Sequence, residues 1–287
     1  MEHEIRWVRK GGSAVVREEK REGVTYLTFP ILEESGLVSH GFSTRMGGVS
    51  QGIYASMNFT FTRGDNPEHV RENYRRMAKA LSVDRHRMVL SYQTHTTNVR
   101  RVTARDEGKG MEKERDYQDV DGLITDIPGI TLVTFYADCV PLYILDPVHK
   151  AIGLSHSGWR GTVGRMGAVT LKAMKEAYGT RAEDVLCAIG PSICRDCFEV
   201  GEEVAAEFQK EFDRRYWQEL ISVNERGRYQ LDLWKANEII LRGAGVRPGS
   251  IETTDICTRC NPQYLFSHRA AGDKRGNLAA FLCLKEG

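Results

Sequence analysis

Between Met88 and His156 the chain sets down six apolar runs in quick succession: "MVLSYQ", "TNVRRVTA", "DVDGLIT", "ITLVTFYAD", "VPLYILD" and "AIGLSH". Runs this short, rich in Val, Ile, Thr, Tyr and Phe and punctuated by Gly, Pro or Asp, read as strands. Upstream, "EIRWVR" alternates, and "VTYLTFP" and "LVSHGFS" read as further strands feeding the loop "STRMGGVSQG". Helices are grouped elsewhere. Asn66 followed by Pro67 signals an N-cap and first turn, after which Val70, Tyr74, Met77, Ala78 and Leu81 recur at helical spacing. From Thr162 onward, Met166, Val169, Ala173, Met174 and Ala177 share one helical face until Gly179. Helices are also predicted over 202–212 and 233–242, and strands at "VLCAIG", around Ile251 and over Leu278–Leu284. The charged stretch 105–119 reads as an exposed, mobile loop. Strands in runs with helices apart from them predict an α+β fold containing at least one mixed sheet. Without repeats or a linker-like stretch, residues 1–287 read as a single domain.

Composition narrows the function classes. Forty basic and 39 acidic side chains leave a net charge of +1, so no global field recruits nucleic acid or an anionic membrane. Apolar runs fall short of the roughly 18 residues that span a bilayer, and "MEHEIRWVRKGG" lacks the apolar core of a secretory signal. The expected location is the cytoplasm. There the seven cysteines should be thiols, ligands or nucleophiles, most of them buried as small hydrophobes. "CRDC" (Cys194, Cys197) and "CTRC" (Cys257, Cys260) invite a four-cysteine zinc site, but 59 residues separate the pairs, against roughly 15–20 in a zinc knuckle. A shared structural metal is therefore not expected, nor does either pair have a thioredoxin-like context.

Three residues share a more suggestive setting. His95 in "SYQTHTTNV", Cys139 in "FYADCVPL" and His156 in "GLSHSGWRG" each fall at or just past the end of an apolar strand pattern, and strand ends of one sheet can converge. Two imidazoles and a thiolate suit zinc, and three protein ligands leave a fourth position open, as in catalytic zinc sites. Taken singly, each has an ordinary reading: a His bonds a backbone carbonyl, and a Cys in a strand packs in the core.

The strings "GFSTRMGGVS", "QTH", "DGLIT", "ADCVPL", "HSGWRG", "IGPSI" with "CFEVG", and "CTRC" with "FSHR" occur in order from about residue 38 to residue 270. This combination resembles the YfiH-like laccase-domain family of bacterial purine nucleoside phosphorylases. The resemblance implies layered mixed sheets flanked by helices in an α/β/β/α arrangement. It implies a zinc-dependent enzyme that splits adenosine, inosine and methylthioadenosine with phosphate, and that also deaminates adenosine. Its metal ligands map onto His95, Cys139 and His156. Thr96 stands where the family commonly has Gly, Ser157 where it commonly has Ala, and "GDKRGN" replaces a late Gly-Arg pair.

Such chemistry needs more than a metal. Zinc lowers the pKa of bound water to roughly 7, and deaminases pair it with a carboxylate that moves the proton. Asp138 and Asp121 are the carboxylates expected beside the metal in that role; an Asp before a strand-end Cys, as Asp138 is, equally caps a turn or holds a ligating His by its second nitrogen. For phosphate, Arg160 and Arg45 are the expected cations, because a guanidinium fork matches its oxygens. Gly158, Gly161 and Gly164 are expected to present free N–H groups to the anion at a helix start. Trp159 either stacks on a purine or packs as a lid. "IGPSI" is expected to shape a pocket wall. Purine nucleosides and phosphate are thus the expected small-molecule partners, with neither nucleic acid nor membrane. Three other readings stay open: copper-dependent phenol oxidation at the same ligands, a metal-free hydrolase with Cys139 as nucleophile and His156 as base, and a noncatalytic metal clamp.

Overall fold

The computed structural model describes residues 5–11 and 15–286. Two six-stranded sheets stack face to face, with helices on their outer faces. The first runs in the order Arg17–Arg21, Val24–Thr28, Val38–Ser43, Leu278–Leu284, Thr131–Tyr136, Met88–Leu90. The second runs Ile251–Thr253, Leu186–Ile189, Val140–Asp146, Ala151–Ser157, Gly122–Thr125, Val99–Arg101. Both are mixed: antiparallel pairing dominates, and the parallel pairs lie at sheet edges. A small third sheet joins Glu199–Val200, Tyr229–Leu231 and Ile221–Val223. This is the α+β, layered architecture expected from the sequence.

Central strands are apolar on both faces because both faces are covered. In Leu278–Leu284 every residue is buried. Leu278, Ala280, Leu282 and Leu284 enter the core between the sheets, while Ala279 and Phe281 face the outer helix. Val140–Asp146 repeats the pattern, with Tyr143 and Leu145 facing inward and Leu142 and Ile144 outward. Helix Pro67–Leu81 covers the first sheet through Val70, Tyr74, Met77 and Ala78, and starts where the Asn66 side chain accepts the Glu68 N–H at 2.9 Å. Helices Met166–Tyr178 and Leu233–Gly243 cover the second. Among the described residues no helix is long and apolar enough to cross a membrane.

Three local expectations change. "EIRWVR" contributes only an isolated bridge from Arg9 to Ile256, and its first residue lies outside the described residues. The helix expected from Thr162 is two helices, Trp159–Val163 and Met166–Tyr178, broken where Arg165 adopts φ 57°. Its buried stripe is Met166, Thr170, Leu171 and Met174, with Val169, Ala173 and Ala177 on the flanks. Loop 105–119 is tied down: buried Asp106 bonds Arg100 and Lys109, and the Tyr117 hydroxyl donates to the Leu90 carbonyl at 2.6 Å.

Candidate functional site

Residues 137–139 carry the chain out of Thr131–Tyr136 in one sheet and into Val140–Asp146 in the other. Asp138 adopts φ 89° in making this crossing, and Cys139 emerges at the start of the new strand. Strand Ala151–Ser157 pairs with Val140–Asp146 so that His156 sits opposite Pro141, beside that cysteine. His95 arrives from the loop between Met88–Leu90 and Val99–Arg101, with φ 66°. The structure thus brings together the three residues singled out in the sequence: their ligand atoms lie within 4.8 Å of one another. The two imidazole centroids are 5.0 Å apart.

One carboxylate organises this cluster. Asp121, fully buried, bonds His156 Nδ1 at 2.8 Å. It also accepts the backbone N–H groups of Thr94, His95 and Thr96 at 3.0–3.1 Å. It therefore shapes the loop that presents His95 and turns the other nitrogen of His156 toward Cys139, the role of a carboxylate behind a ligand imidazole. Asp121, one of the two carboxylates expected near the cluster, stands behind the His156 ring. Burial raises the Asp121 pKa, but its bonds to His156 and the loop amides bring it below the usual value. For Cys139, burial opposes the thiolate, yet His156 and His95 more than offset it and bring the pKa down to about 6. His156 is the reciprocal case: burial opposes its charge, but Cys139 and Asp121 outweigh that and raise its pKa to about 9.

Gly158 leaves room for the cluster. A Cβ at this position would stand 2.9 Å from Cys139 Sγ and 3.2 Å from His95 Cδ2. Gly164 likewise allows the Thr97 methyl to approach. The glycines of "HSGWRG" thus permit close packing; the helix they open, Trp159–Val163, is only five residues long.

Two cavities meet at the cluster. A cleft of about 400 Å³ is bordered by Phe59–Arg63, Tyr92, Gln93, Tyr136 and Arg275. A more apolar cavity of about 300 Å³ is walled by Trp159, Ile193, Phe198 and Leu233, with Asp138 and Arg269 at its edge. His95, Cys139, Arg63 and Arg275 border both. Asp138 is engaged: Thr258 Oγ1 donates to Oδ1 and the Arg269 N–H to Oδ2, each at 2.6 Å. As expected, "IGPSI" supplies pocket wall through Ile193, and Trp159 both lines the cavity and packs against the core beneath.

The two arginines named from the sequence are elsewhere. Arg45 directs its guanidinium to the carbonyls of Ala55 and Pro262 and lies over Phe266. Arg160 is exposed, stacked 4.3 Å from the Trp159 ring. Arg63 and Arg275 occupy the junction instead, and Arg275 Nε is buried without a hydrogen-bond partner. Desolvation, helped by nearby Arg63, lowers the Arg275 pKa to about 10. The signal for Arg275 lay in "GDKRGN", standing in the place of the family's late Gly-Arg pair; nothing near "FTRGDN" marked Arg63.

A second expectation is overturned. Cys194, Cys197, Cys257 and Cys260 place their four sulfurs within 4.8 Å of one another and could hold a metal ion. Sequence separation misleads because Ser192 and Cys257 form a parallel bridge, which seats one cysteine pair on the other across the intervening 59 residues.

Comparison with known proteins places this geometry in a lineage. The model of the family described as multi-copper polyphenol oxidoreductase laccase matches residues 39–285. A protein from Bacteroides thetaiotaomicron named purine nucleoside phosphorylase is 39% identical over 254 residues, 88% of this chain and 93% of its own. Adenosine deaminase RL5, from an unknown prokaryotic organism, is 34% identical over 82% of this chain and 90% of its own. The crystal structure of Bacillus licheniformis YfiH superposes with a TM-score of 0.87 at 30% identity, covering 93% of this chain and 99% of the other. The chain belongs to the laccase-domain family, has the YfiH-like fold, and counts proteins named purine nucleoside phosphorylase among its relatives.

Proposed function

We propose that this chain is a cytoplasmic purine nucleoside phosphorylase that also deaminates adenosine, with zinc held by His95, Cys139 and His156. The observation that carries the reading is the meeting of these three ligand atoms, within 4.8 Å, at the junction of a cleft of mixed lining and an apolar cavity. The donor set fits the metal: a thiol already biased toward thiolate, one imidazole oriented by a buried carboxylate, and a glycine where a side chain would collide with the ligands. Zinc bound by three protein ligands supplies Lewis acidity at an open fourth position.

The remaining work falls to the chain's own residues. Trp159, Phe198, Ile193 and Leu233 wall an apolar cavity of about 300 Å³, suited to a purine ring. Arg63 and Arg275 place two guanidinium groups where both cavities open, each suited to donate to a phosphate oxygen. In phosphorolysis that oxygen bonds to the anomeric carbon as the glycosidic C–N bond breaks and its electron pair leaves with the base. Asp138, fixed by Thr258 and Arg269, borders the cavity at the purine end. Asp121 holds His156 and the His95 loop in position.

Inosine turnover with and without phosphate tests the reading. Ribose 1-phosphate is expected only when phosphate is present, and ammonia from adenosine in its absence. Arg275→Met is expected to raise the phosphate KM about tenfold or more, the worth of a charge-assisted hydrogen bond. Metal-depleted His95→Ala protein that turns over nucleosides as fast as wild type would end the proposal.

A further inference from the structure

We infer that Cys194, Cys197, Cys257 and Cys260 form a second, structural zinc site, separate from the catalytic cluster and bracing one wall of the apolar cavity. Each pair makes a tight turn: Cys197 N–H bonds the Cys194 carbonyl at 3.1 Å, and the Asn261 side chain bonds the Cys257 carbonyl at 2.8 Å. The Ser192–Cys257 bridge and the Thr258 N–H to Ser192 carbonyl bond (3.1 Å) set the two turns face to face. All four thiols are free; Cys197 and Cys260 sulfurs are 3.5 Å apart, far beyond the S–S bond of roughly 2 Å in a disulfide. A tetrahedron with Zn–S bonds of about 2.3 Å has sulfurs roughly 3.8 Å apart, within the spacing seen here.

Donors already point at two of the four sulfurs. The Cys194 N–H points at Cys257 Sγ at 3.2 Å, and the Arg259 guanidinium lies 3.6 Å from Cys197 Sγ. Donors aimed at sulfur, with a cation beside it, stabilise the negative charge that four metal-bound thiolates carry. Three of the four cysteines are buried, which shields the site from water. Four sulfurs with no imidazole or carboxylate select a soft tetrahedral ion, and zinc adds no redox chemistry.

The position gives the site its role. Ile193 and Phe198 flank the first pair and line the cavity. Thr258, next to Cys257, bonds Asp138, and Arg269 Nη1 bonds the Cys197 carbonyl at 3.2 Å. The metal thereby fixes two loops whose far sides contact the residue adjacent to Cys139.

Metal content of the full chain, with zinc release by a mercurial reagent, tests this. Wild type is expected to carry two zinc equivalents, and both His95→Ala/His156→Ala and Cys197→Ser/Cys260→Ser one each. Cobalt in the His95→Ala/His156→Ala variant should show the intense thiolate charge transfer and red-shifted d–d bands of a four-sulfur site. That measurement stands even if the cysteine variant does not fold. If the His95→Ala/His156→Ala variant retains one equivalent while wild type has no more, the catalytic reading fails and this one survives. A metal-free histidine variant with four thiols that react promptly in the native protein would overturn the inference, and an iron chromophore would overturn the assignment to zinc.

Discussion

Gly158→Ala isolates the ligand cluster more cleanly than removing a ligand. Gly158 has φ −70° and ψ −176°, a conformation open to alanine, so the backbone contributes little to the cost. The cost arises where the new methyl stands 2.9 Å from Cys139 Sγ and 3.2 Å from His95 Cδ2. Comfortable contact is at about 3.5–4.0 Å, so the sulfur must retreat by roughly 0.6–1 Å, several times the ~0.2 Å tolerance of a metal–ligand distance. Overpacking of this kind costs about 1–3 kcal/mol. Because the strain falls on the ligands, it should appear as zinc affinity weakened about 5- to 150-fold, at 1.4 kcal/mol per factor of ten. Competition with a chromophoric chelator measures that affinity, and thermal unfolding of the metal-free protein should move little. Gly249→Ala is the control, since a methyl there meets nothing within 4 Å. If Gly158→Ala binds zinc and turns over nucleosides within twofold of wild type, His95 and Cys139 do not share a metal.

Further outcomes follow from the same geometry. Asp121→Asn keeps the shape but loses the charge behind His156, and zinc affinity is expected to drop about 10- to 100-fold; unchanged affinity in the chelator assay would remove Asp121 from its positioning role. His40, buried and accepting the Phe29 N–H on Nε2 at 2.9 Å, has its pKa pushed down to about 4 by burial. Between the unfolded value near 6.5 and the folded value the unfolded chain binds more protons, so stability is lost as pH falls through that window. The loss should total on the order of 3 kcal/mol, read by urea unfolding at pH 7 and pH 4. His40→Gln, which can still accept the bond, should lack this component; an identical pH profile would refute it.

Much of this architecture is legible in local pattern. Strands such as Val140–Asp146 and helix Pro67–Leu81 declare themselves because both their apolar spacing and their termini are short-range features. The cluster of His95, Cys139 and His156 is legible for a related reason: each lies at or beside a strand whose run is easy to see. What escaped was set by long-range closure. The two cysteine pairs meet only through the Ser192–Cys257 bridge. Arg63 and Arg275 reach one junction from opposite ends of the chain, and no spacing rule relates them. Arg45 looked available until Phe266 and the carbonyls of Ala55 and Pro262 surrounded it.

The crossing at residues 137–139 has a consequence for how such a protein can change. Cys139 and His156 are anchored in neighbouring strands of one rigid layer, whereas Phe59–Arg63 and Ile193–Phe198 bring their side chains from separate connecting segments. The cluster and the cavity walls therefore have different addresses in the chain: wall side chains such as Phe61 or Phe198 can vary and alter what the cavities admit, while the groups beneath keep their places.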